Sequence, residues 1–461
     1  MRSLGILGAC VGLLAAPLPA ADGDLDTSFS GDGKATVLWD EAGTTQVEAS
    51  AVAALADGSI VVGGTMGWIP PGGGLTFDAV LAKLTRTGIL DTSWGESGRK
   101  RVAFDLVEGG GDVLLGVFPD PDGSVYAVGT TYDGSTPVPT VVRLLPDGDG
   151  DPAFGDAGYL YLDDLPWADP ELHFRGAERQ LDGKLLLAGH CLRCPANTTH
   201  FNPFVLRLLA DGAPDTSWSF DGWAVVSDGG TTSDVVTAFL PDSQGRVLVA
   251  FNTETNVRVA RINSIGGLDS SFGGDGFVDL FTELGFYDVT TLAIDPETRQ
   301  IYLVFSGNFG AFELAYVVRL STSGAEDASY GEDGIASFAL EEGIALEDAA
   351  LQGDGKLLLA GMMDAAGAQE GGFFLARLDT AGLPDATFDG NGVARYEFDR
   401  TTNGEDHALA CSLSAGKPVA VGYAVDGDGE RDMAILRVQN SYLFADGFGS
   451  GNTRFWSASA P

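Results

Sequence analysis

The sequence predicts an all-β fold of repeated four-stranded units, and three observations lead to this prediction. An eight-residue phrase recurs seven times in the 461 residues, with an Asp, an aromatic residue three positions later and a Gly seven positions later. Short apolar runs rich in β-branched residues separate successive phrases. The chain also contains 65 glycines and 20 prolines, which suit many tight turns between short strands.

The phrase is complete in all seven copies. Its acidic residues are Asp26, Asp91, Asp151, Asp215, Asp269, Asp327 and Asp385. Its aromatic residues are Phe29, Trp94, Phe154, Trp218, Phe272, Tyr330 and Phe388, and its glycines are Gly33, Gly98, Gly158, Gly222, Gly276, Gly334 and Gly392. Successive phrases lie 54 to 65 residues apart, and a period of this size indicates a repeat architecture.

Residues 46–104 illustrate one repeat unit. Apolar runs at 47–55, 60–64, 79–84 and 100–104 predict four strands, and the phrase stands between the third and the fourth. Four short strands repeated around an axis describe a blade of a β-propeller. A parallel β-helix is the chief alternative, but its coils are usually shorter. We therefore expect a seven-bladed β-propeller.

The two ends of the repeat region complement each other. The chain opens on a phrase followed by a fourth-strand pattern at 34–39, and its repeats end on a third-strand pattern at 433–438. We expect residues 34–39 to complete the last blade, residues 406–438. Such an exchange would close the ring and cover strand edges that an open array exposes.

A basic residue precedes each phrase Asp except Asp26 by eight positions, and Arg437 holds the same place in the last unit without a phrase after it. The series is Lys83, Arg143, Arg207, Arg261, Arg319, Arg377 and Arg437. In a closed ring the partner of Arg437 would be Asp26, so we expect one structural ion pair per blade. The alternative is that both residues are separately solvated. We expect the phrase aromatic to fill the space between blades and the phrase Gly to have positive φ.

The N-terminal residues have the features of a secretory signal. Arg2 precedes the apolar run 4–16, and small residues at 17–21 offer a cleavage site. A buried first strand is the alternative interpretation. We expect residues 1–21 to be a signal peptide, residues 22–438 the propeller and residues 439–461 a C-terminal tail, in a secreted or periplasmic protein.

The net charge of −39 bears on possible partners. Such an acidic surface repels nucleic acid and anionic membranes, favours solubility and attracts cations. The sequence has no second long apolar run. We therefore expect no nucleic-acid partner, no transmembrane segment and a monomer.

The repeat resembles the delta-60 repeat, a bacterial β-propeller repeat. The family pattern has an Asp-Gly turn, a strand ending in Ala-Gly or Val-Gly, an apolar strand with Arg-Leu, and Leu-Asp-x-Ser-Phe-Gly-x-x-Gly. Residues 261–276 carry the best copy, whereas residues 150–153 and 219–221 depart from the pattern. The resemblance covers roughly residues 25–438. It implies a propeller fold and frequent export, and it brings no established catalytic residues.

Motifs that would indicate catalysis are missing from the sequence. It contains no G-x-S-x-G, no H-E-x-x-H and no Walker-type loop, and it has four histidines. We expect an exported binding scaffold without enzymatic activity, whose partner is a protein or a carbohydrate. The alternative is a metal-dependent hydrolase or lyase with a cation in the axial channel.

Two sequence clusters have possible ligand character. The first cluster contains Cys191 and Cys194, with His190 and His200 nearby. It indicates a disulfide, free thiols or a metal site, and we favour the disulfide because the protein is expected to be exported. The state of Cys411 is left open. Asp426, Asp428 and Asp432 are spaced like carboxylates of a calcium loop, although the full twelve-residue pattern is missing. Calcium is thus possible, and no other cofactor is predicted.

Carboxylates recur near the start of the predicted first strands, which should line the axis. They are Glu48, Asp112, Asp234, Asp288, Asp348 and Asp406, while the third unit has His173 and Arg175 there. A ring of like charge at one channel mouth could bind a cation or cationic ligand. The alternative is that these residues are solvated at strand entries.

The connections between second and third strands vary most and should share a face with the channel entrance. They range from residues 252–256 to residues 66–78. Because variable loops carry most binding surfaces, we expect contact residues in the aromatic and Pro-rich segments 68–71 and 132–139. Trp68 and Tyr132 are the leading candidates.

Overall fold

The computed structural model describes residues 21–39, 41–70, 73–102, 104, 111–133, 136–162, 171–192, 194, 199–227, 230, 232–254, 256–280, 288–309, 312–338, 344–364, 371–398 and 405–441. Regular structure within these ranges is entirely β-strand, and no helix there is long and apolar enough to span a membrane. The predicted signal peptide, apart from Ala21, and the tail from residue 442 onward lie outside the described residues.

The strands follow one another in short antiparallel hairpins. The first half of the chain contains β1 (Lys34–Val37), β2 (Thr44–Ala54), β3 (Ile60–Trp68), β4 (Thr76–Leu84), β5 (Arg99–Val102), β6 (Val113–Pro119), β7 (Val125–Asp133), β8 (Thr136–Leu144), β9 (Tyr159–Tyr161), β10 (Glu171–Arg179), β11 (Leu185–Leu192), β12 (Phe201–Leu208) and β13 (Trp223–Val225). The second half contains β14 (Val235–Pro241), β15 (Val247–Asn252), β16 (Val257–Ile262), β17 (Phe277–Leu280), β18 (Asp288–Ile294), β19 (Ile301–Phe309), β20 (Phe312–Leu320), β21 (Ile335–Phe338), β22 (Ile344–Leu351), β23 (Leu357–Asp364), β24 (Gly371–Leu378), β25 (Val393–Tyr396), β26 (Asp406–Ser414), β27 (Lys417–Val425) and β28 (Arg431–Arg437).

The architecture is an all-β propeller. In the described residues, five separate four-stranded sheets have their strands in chain order: β6 to β9, β10 to β13, β14 to β17, β18 to β21 and β22 to β25. The other eight strands form one sheet, in the order β26-β27-β28-β2-β3-β4-β5 with β1 also paired to β28. The expected seven blades are therefore corrected to five separate four-stranded blades and one eight-stranded sheet. The physical reason is a parallel bridge between Gln46 and Arg431, which joins β2 to β28.

Strand β1 lies beside the last strand of the repeats. It pairs antiparallel with β28, with Lys34 opposite Leu436 and Val37 opposite Met433. Its partner thus comes from the far end of the chain, within the unit formed by β26 to β28.

The apolar core lies between neighbouring units. Each buried cluster draws residues from two units, as where Val61 and Leu81 pack with Leu114 and Val142. The seven phrase aromatics are at most 1% exposed. The predicted packing role of these aromatics is therefore confirmed, and the turn of the next unit comes close: a Cβ on Gly88 would lie 2.8 Å from Phe29 Cγ.

All seven predicted ion pairs are present. Arg143 contacts Asp151, and the other pairs are Lys83–Asp91 at 3.2 Å, Arg207–Asp215 at 2.9 Å, Arg261–Asp269 at 2.8 Å, Arg319–Asp327 at 2.9 Å, Arg377–Asp385 at 2.7 Å and Arg437–Asp26 at 2.7 Å. The seven phrase glycines all have φ between 89° and 101°. That left-handed conformation favours Gly, as expected.

The arginines also connect one unit to the next. Arg319 Nη1 donates to the carbonyl of Thr380 at 2.8 Å, in the turn of the following unit. Arg437 Nη1 makes the same kind of bond to the carbonyl of Arg86 at 2.7 Å. The phrase therefore connects neighbouring units as well as stabilising its own turn.

Candidate functional site

An axial cavity of about 270 Å³ is lined by the first strand of every unit: β2, β6, β10, β14, β18, β22 and β26. Each of these strands has a β-bulge at the same place. The bulged residues are Ser50, Leu115, Arg175, Thr237, Thr290, Glu347 and Leu409. A bulge bends a strand and redirects its side chains. The cavity is formed at and just beyond these bulges.

Three charged side chains break the symmetry of the cavity: Arg175, Glu178 and Asp348. Asp348 directly follows its bulge. The same position in the other units holds Ala51, Gly116, Gly176, Ala238, Thr291 and Ala410. Glu178 lies three residues beyond the bulge of β10, where the fourth unit has Leu240. The polar groups therefore belong to individual units and not to the repeat.

Asp348 is held by both neighbouring strands. Its Oδ1 accepts the backbone N–H of Ala349 at 2.8 Å, and its Oδ2 accepts that of Cys411 at 2.8 Å. The Thr291 hydroxyl and the Cys411 thiol also interact with it. Burial raises the pKa of Asp348 to about 6 although these hydrogen bonds oppose the shift. The same surroundings raise the pKa of the Cys411 thiol well above its ordinary value, first through burial and then through Asp348.

Glu178 has no hydrogen-bond or ion-pair partner among the described residues. Burial, and then the charge of Asp348, raise the pKa of Glu178 to about 8. Its carboxyl group is consequently mostly protonated at neutral pH. A protonated carboxyl can donate a hydrogen bond as well as accept one.

Arg175 contributes the positive charge of the cavity. Its Nε donates to the Val236 carbonyl at 2.9 Å. Nearby, the rings of His173 and His190 stack with their centroids 5.1 Å apart. Burial, followed by His173 and Arg175, lowers the pKa of His190 to about 4, so this imidazole is neutral at physiological pH.

The six carboxylates expected at one channel mouth lie at different levels. Asp112, Asp234 and Asp406 stand three residues before the bulge, whereas Glu48 and Asp288 stand two before it. Asp348 alone stands after the bulge and reaches the axial cavity. The spacing between strand start and bulge differs among units, and the single ring at one channel mouth stays a prediction.

Most of these carboxylates have structural contacts. Asp112 Oδ2 accepts the Phe104 backbone N–H at 2.9 Å, and Asp406 Oδ2 accepts that of Phe398 at 2.6 Å. Asp234 is 5% exposed and Glu48 contacts Arg431. For Asp288 the structure describes only its place in β18.

The candidate calcium residues occupy a hairpin turn. Asp426 Oδ1 accepts the backbone N–H groups of Asp428 and Glu430 at 2.9 and 3.0 Å, which stabilises the turn before β28. Asp432 lies in β28, opposite Ala424. Across the described ranges, no three His, Cys, Asp or Glu side chains are grouped to hold a metal ion. Calcium binding at this turn stays a prediction.

The cysteine cluster lies where β11 ends. Cys191 and Cys194 are joined by a disulfide, with their Cα atoms 5.8 Å apart. Both are buried, and Asn202 Nδ2 donates to the Cys194 carbonyl at 3.2 Å. Cys411 is a buried free thiol in β26. That the disulfide forms in solution stays a prediction, which alkylation before and after reduction would test.

We define the loop face as the end of the propeller that carries the connections between second and third strands and the starts of the first strands. Trp68 lies there, but the Arg101 guanidinium covers its ring at 4.1 Å. Tyr132 is 36% exposed at the end of β7. The expected loop at 132–139 is shorter than the sequence suggested, because Tyr132 pairs with Pro137 in a tight hairpin.

Comparisons with known proteins agree with this architecture. A family model described as a domain of unknown function (DUF5122) β-propeller matches residues 121–154 and 352–388. Each matched segment contains a second strand, a third strand and a phrase up to its aromatic residue. A comparison with curated proteins finds no match.

Two solved structures are also similar to the chain. A protein from Lactobacillus plantarum shares 11% identity at a TM-score of 0.42, over 73% of this chain and 83% of that one. A glucose dehydrogenase shares 12% identity at a TM-score of 0.35, over 88% of this chain and 99% of that one. At these values neither structure bears on the activity of this chain. By its repeat and its sheets, the chain is a β-propeller repeat protein.

Proposed function

We propose that this protein is an exported, non-catalytic binding scaffold whose loop face contacts a protein partner. One observation carries the proposal: exposed apolar side chains occur together on two consecutive units of that face. Ile69 is 46% exposed, Leu75 56%, Val113 40% and Tyr132 36%. Exposed apolar groups of this kind mark interaction surfaces when they are contiguous.

The two units are connected at this face. The backbone N–H of Asp112, next to Val113, donates to the Phe77 carbonyl at 2.7 Å. Phe77 lies in β4, two residues after the exposed Leu75. This bond brings the start of β6 to the connection that carries Ile69 and Leu75, which supports a shared patch.

The composition of the patch favours a protein over a carbohydrate. Its exposed members are mainly branched aliphatic side chains, and Arg101 covers the flat ring of Trp68. Aliphatic and aromatic groups at the centre of a patch, with charged groups around it, are typical of protein interfaces.

We further propose that the eight-stranded sheet acts as two blades, so that seven units form a ring closed by β1. Three observations support this proposal. Asp26 pairs with Arg437 as each other phrase Asp pairs with its own basic residue. The first strands contact one another in series, and β26 also contacts β2. Finally, Val47 and Phe29 share a buried cluster with Val419 and Ile435.

Site-specific photocrosslinking in cells that make the protein tests the proposed function. A benzophenone amino acid replaces Tyr132 in one variant and Phe220 in a matched control. Phe220 is 97% exposed and lies in a connection between third and fourth strands, at the opposite end from the loop face. We expect a crosslinked protein at position 132 and none at 220. Equal crosslinking at both positions, or none at 132, would contradict the proposal.

A further inference from the structure

We propose that the axial cavity binds a small organic cation whose primary ammonium group contacts Glu178 and Asp348. This site is independent of the loop face. It lies among the first strands, at the bulges.

Glu178 is the first group that points to a cationic ligand. In the described part of the chain its carboxyl group has no hydrogen-bond or ion-pair partner, although it lies within the cavity wall. The side chain is only partly buried, so the carboxyl group is open to the cavity and available to a ligand. An ammonium group would supply both the hydrogen bonds and the opposite charge, and charge-assisted hydrogen bonds are the stronger class.

The two carboxyl groups of the cavity are exceptions to the repeat. Most other units present small or apolar residues at the levels of Glu178 and Asp348. The repeat therefore does not require these acids. Asp348 is already fixed by Ala349 and Cys411, so its orientation is set before any ligand enters. Such preorganisation lowers the cost of binding.

The remaining wall of the cavity suits a small organic molecule. Leu115, Phe118, Phe239 and Leu292 provide apolar surface, while Thr237 and Thr290 provide hydroxyl groups. A volume of about 270 Å³ corresponds to roughly nine waters at about 30 Å³ each, which suits a small organic molecule. A metal ion fits less well, because no three ligating side chains are grouped in the described residues.

Binding of the ammonium group requires Glu178 to be ionised. The carboxyl group then loses its proton to the solvent, and the carboxylate accepts hydrogen bonds from the ammonium group. The titratable or charged groups that line the cavity with Glu178 are Asp348, Arg175 and Cys411. Burial and Asp348 hold the Glu178 pKa near 8, so proton release should accompany binding below that pH.

Calorimetric titration with propylammonium chloride tests the inference on the full chain. Titrations at pH 7 in two buffers of different ionisation enthalpy measure the Kd and the protons released. Propanol serves as the neutral control, and sodium chloride serves as the salt control. We expect saturable binding of propylammonium with proton release to the buffer, and no binding of propanol.

Two cavity variants and one surface variant define the site. Glu178→Gln and Asp348→Asn each remove one carboxyl group, and Glu297→Gln removes an exposed one on the turn after β18. We expect the two cavity variants to weaken propylammonium binding at least tenfold and E297Q to leave it unchanged. Binding of propanol with equal affinity, or unchanged binding in both cavity variants, would overturn the inference. Crosslinking at Tyr132 should persist in both cavity variants, which separates this site from the loop face.

Discussion

The outer connections are alike in all seven units, whereas the side chains of the axial cavity differ from unit to unit. In the outer layer, which consists of the phrases and their basic partners, all seven units make the same ion pair and bury the same type of aromatic side chain. In the cavity, the seven first strands share a bulge but present different side chains beyond it. The contacts that all seven units share therefore stabilise the fold. The residues that differ between units indicate where this chain carries its specific chemistry.

The largest expected effect concerns the aromatic residue of the first phrase. Phe29 is fully buried among strands from both ends of the chain. Phe29→Ala should lower the free energy of unfolding by about 3–5 kcal/mol, because it removes a large core side chain and leaves a cavity. Urea denaturation measures this difference. In Phe220→Ala, where the ring is 97% exposed, we expect a change within about 0.5 kcal/mol. Similar losses in both variants would show that the phrase aromatics do not hold neighbouring units together.

The next prediction compares the loss of stability on breaking a buried ion pair with the loss on breaking a more accessible pair of the same layer. Asp26 is fully buried and accepts hydrogen bonds from Arg437 at 2.7 Å and Lys417 at 2.8 Å. Asp26→Asn should cost about 3–5 kcal/mol because it leaves a buried cation without its charged partner. Asp91→Asn, whose pair with Lys83 is more accessible, should cost about 0–1 kcal/mol. Equal costs in chemical denaturation would contradict this difference.

The ion pair of Asp26 also has a definite pH dependence. Burial raises its pKa, but Lys417, Ser28 and Arg437 outweigh burial and lower it to about 2. The stabilisation is therefore fully present above the ordinary value of 3.8 and is lost as the pH falls toward 2. The D26N variant should thus approach the wild type in stability only in strong acid.

A smaller effect is expected for the disulfide. It closes a short loop, since Cys191 and Cys194 are three positions apart, so chain-entropy stabilisation is limited to about 2 kcal/mol. Replacing both residues by Ser should lower stability by no more than this amount in denaturant titration. Alkylation followed by mass spectrometry should label two additional thiols after reduction. An unchanged thiol count would show that the bond is absent in solution.

The smallest expected effect concerns Glu178. Its ionisation destabilises the fold, whereas ionisation of Asp26 stabilises it. Burial raises its pKa from 4.5 to about 8, so ionisation opposes folding. This penalty develops as the pH rises from 4.5 to 8. Glu178→Gln should match the wild type near pH 4 and be more stable above pH 8, by about 1 kcal/mol, because the side chain is only partly buried and solvent screens most of the penalty. Thermal unfolding across this range measures the difference, with E297Q as the exposed control. Parallel pH profiles of wild type and E178Q would show that the pKa of Glu178 is not raised.

Much of the outer layer could be predicted from the sequence because its contacts obey a fixed spacing. Arg437 and Asp26 are far apart in the chain, yet each belongs to a series in which the other members lie eight residues apart. The sheet count was less predictable. One backbone bridge, between Gln46 and Arg431, determines how the eight strands are divided into sheets, and the sequence contains no signal for it.

The cavity was harder to predict because its register depends on the bulges. Asp348 was grouped with carboxylates near strand starts, but the bulge places it deeper than Asp112 or Asp406. Glu178 was missed altogether. An alignment of the seven first strands with one another could have found both, because each places an acid where most other units have small or apolar residues.

Hydrogen exchange of the unmodified protein tests most directly the proposal that β1 closes a ring of seven units. Peptides covering residues 34–37 would be compared with those of the equivalent strands β5 and β21. We expect the amides of β1 that face β28 to exchange as slowly as those of β5 and β21. Exchange of β1 at the rate of an unstructured segment, while β28 stays protected, would contradict it.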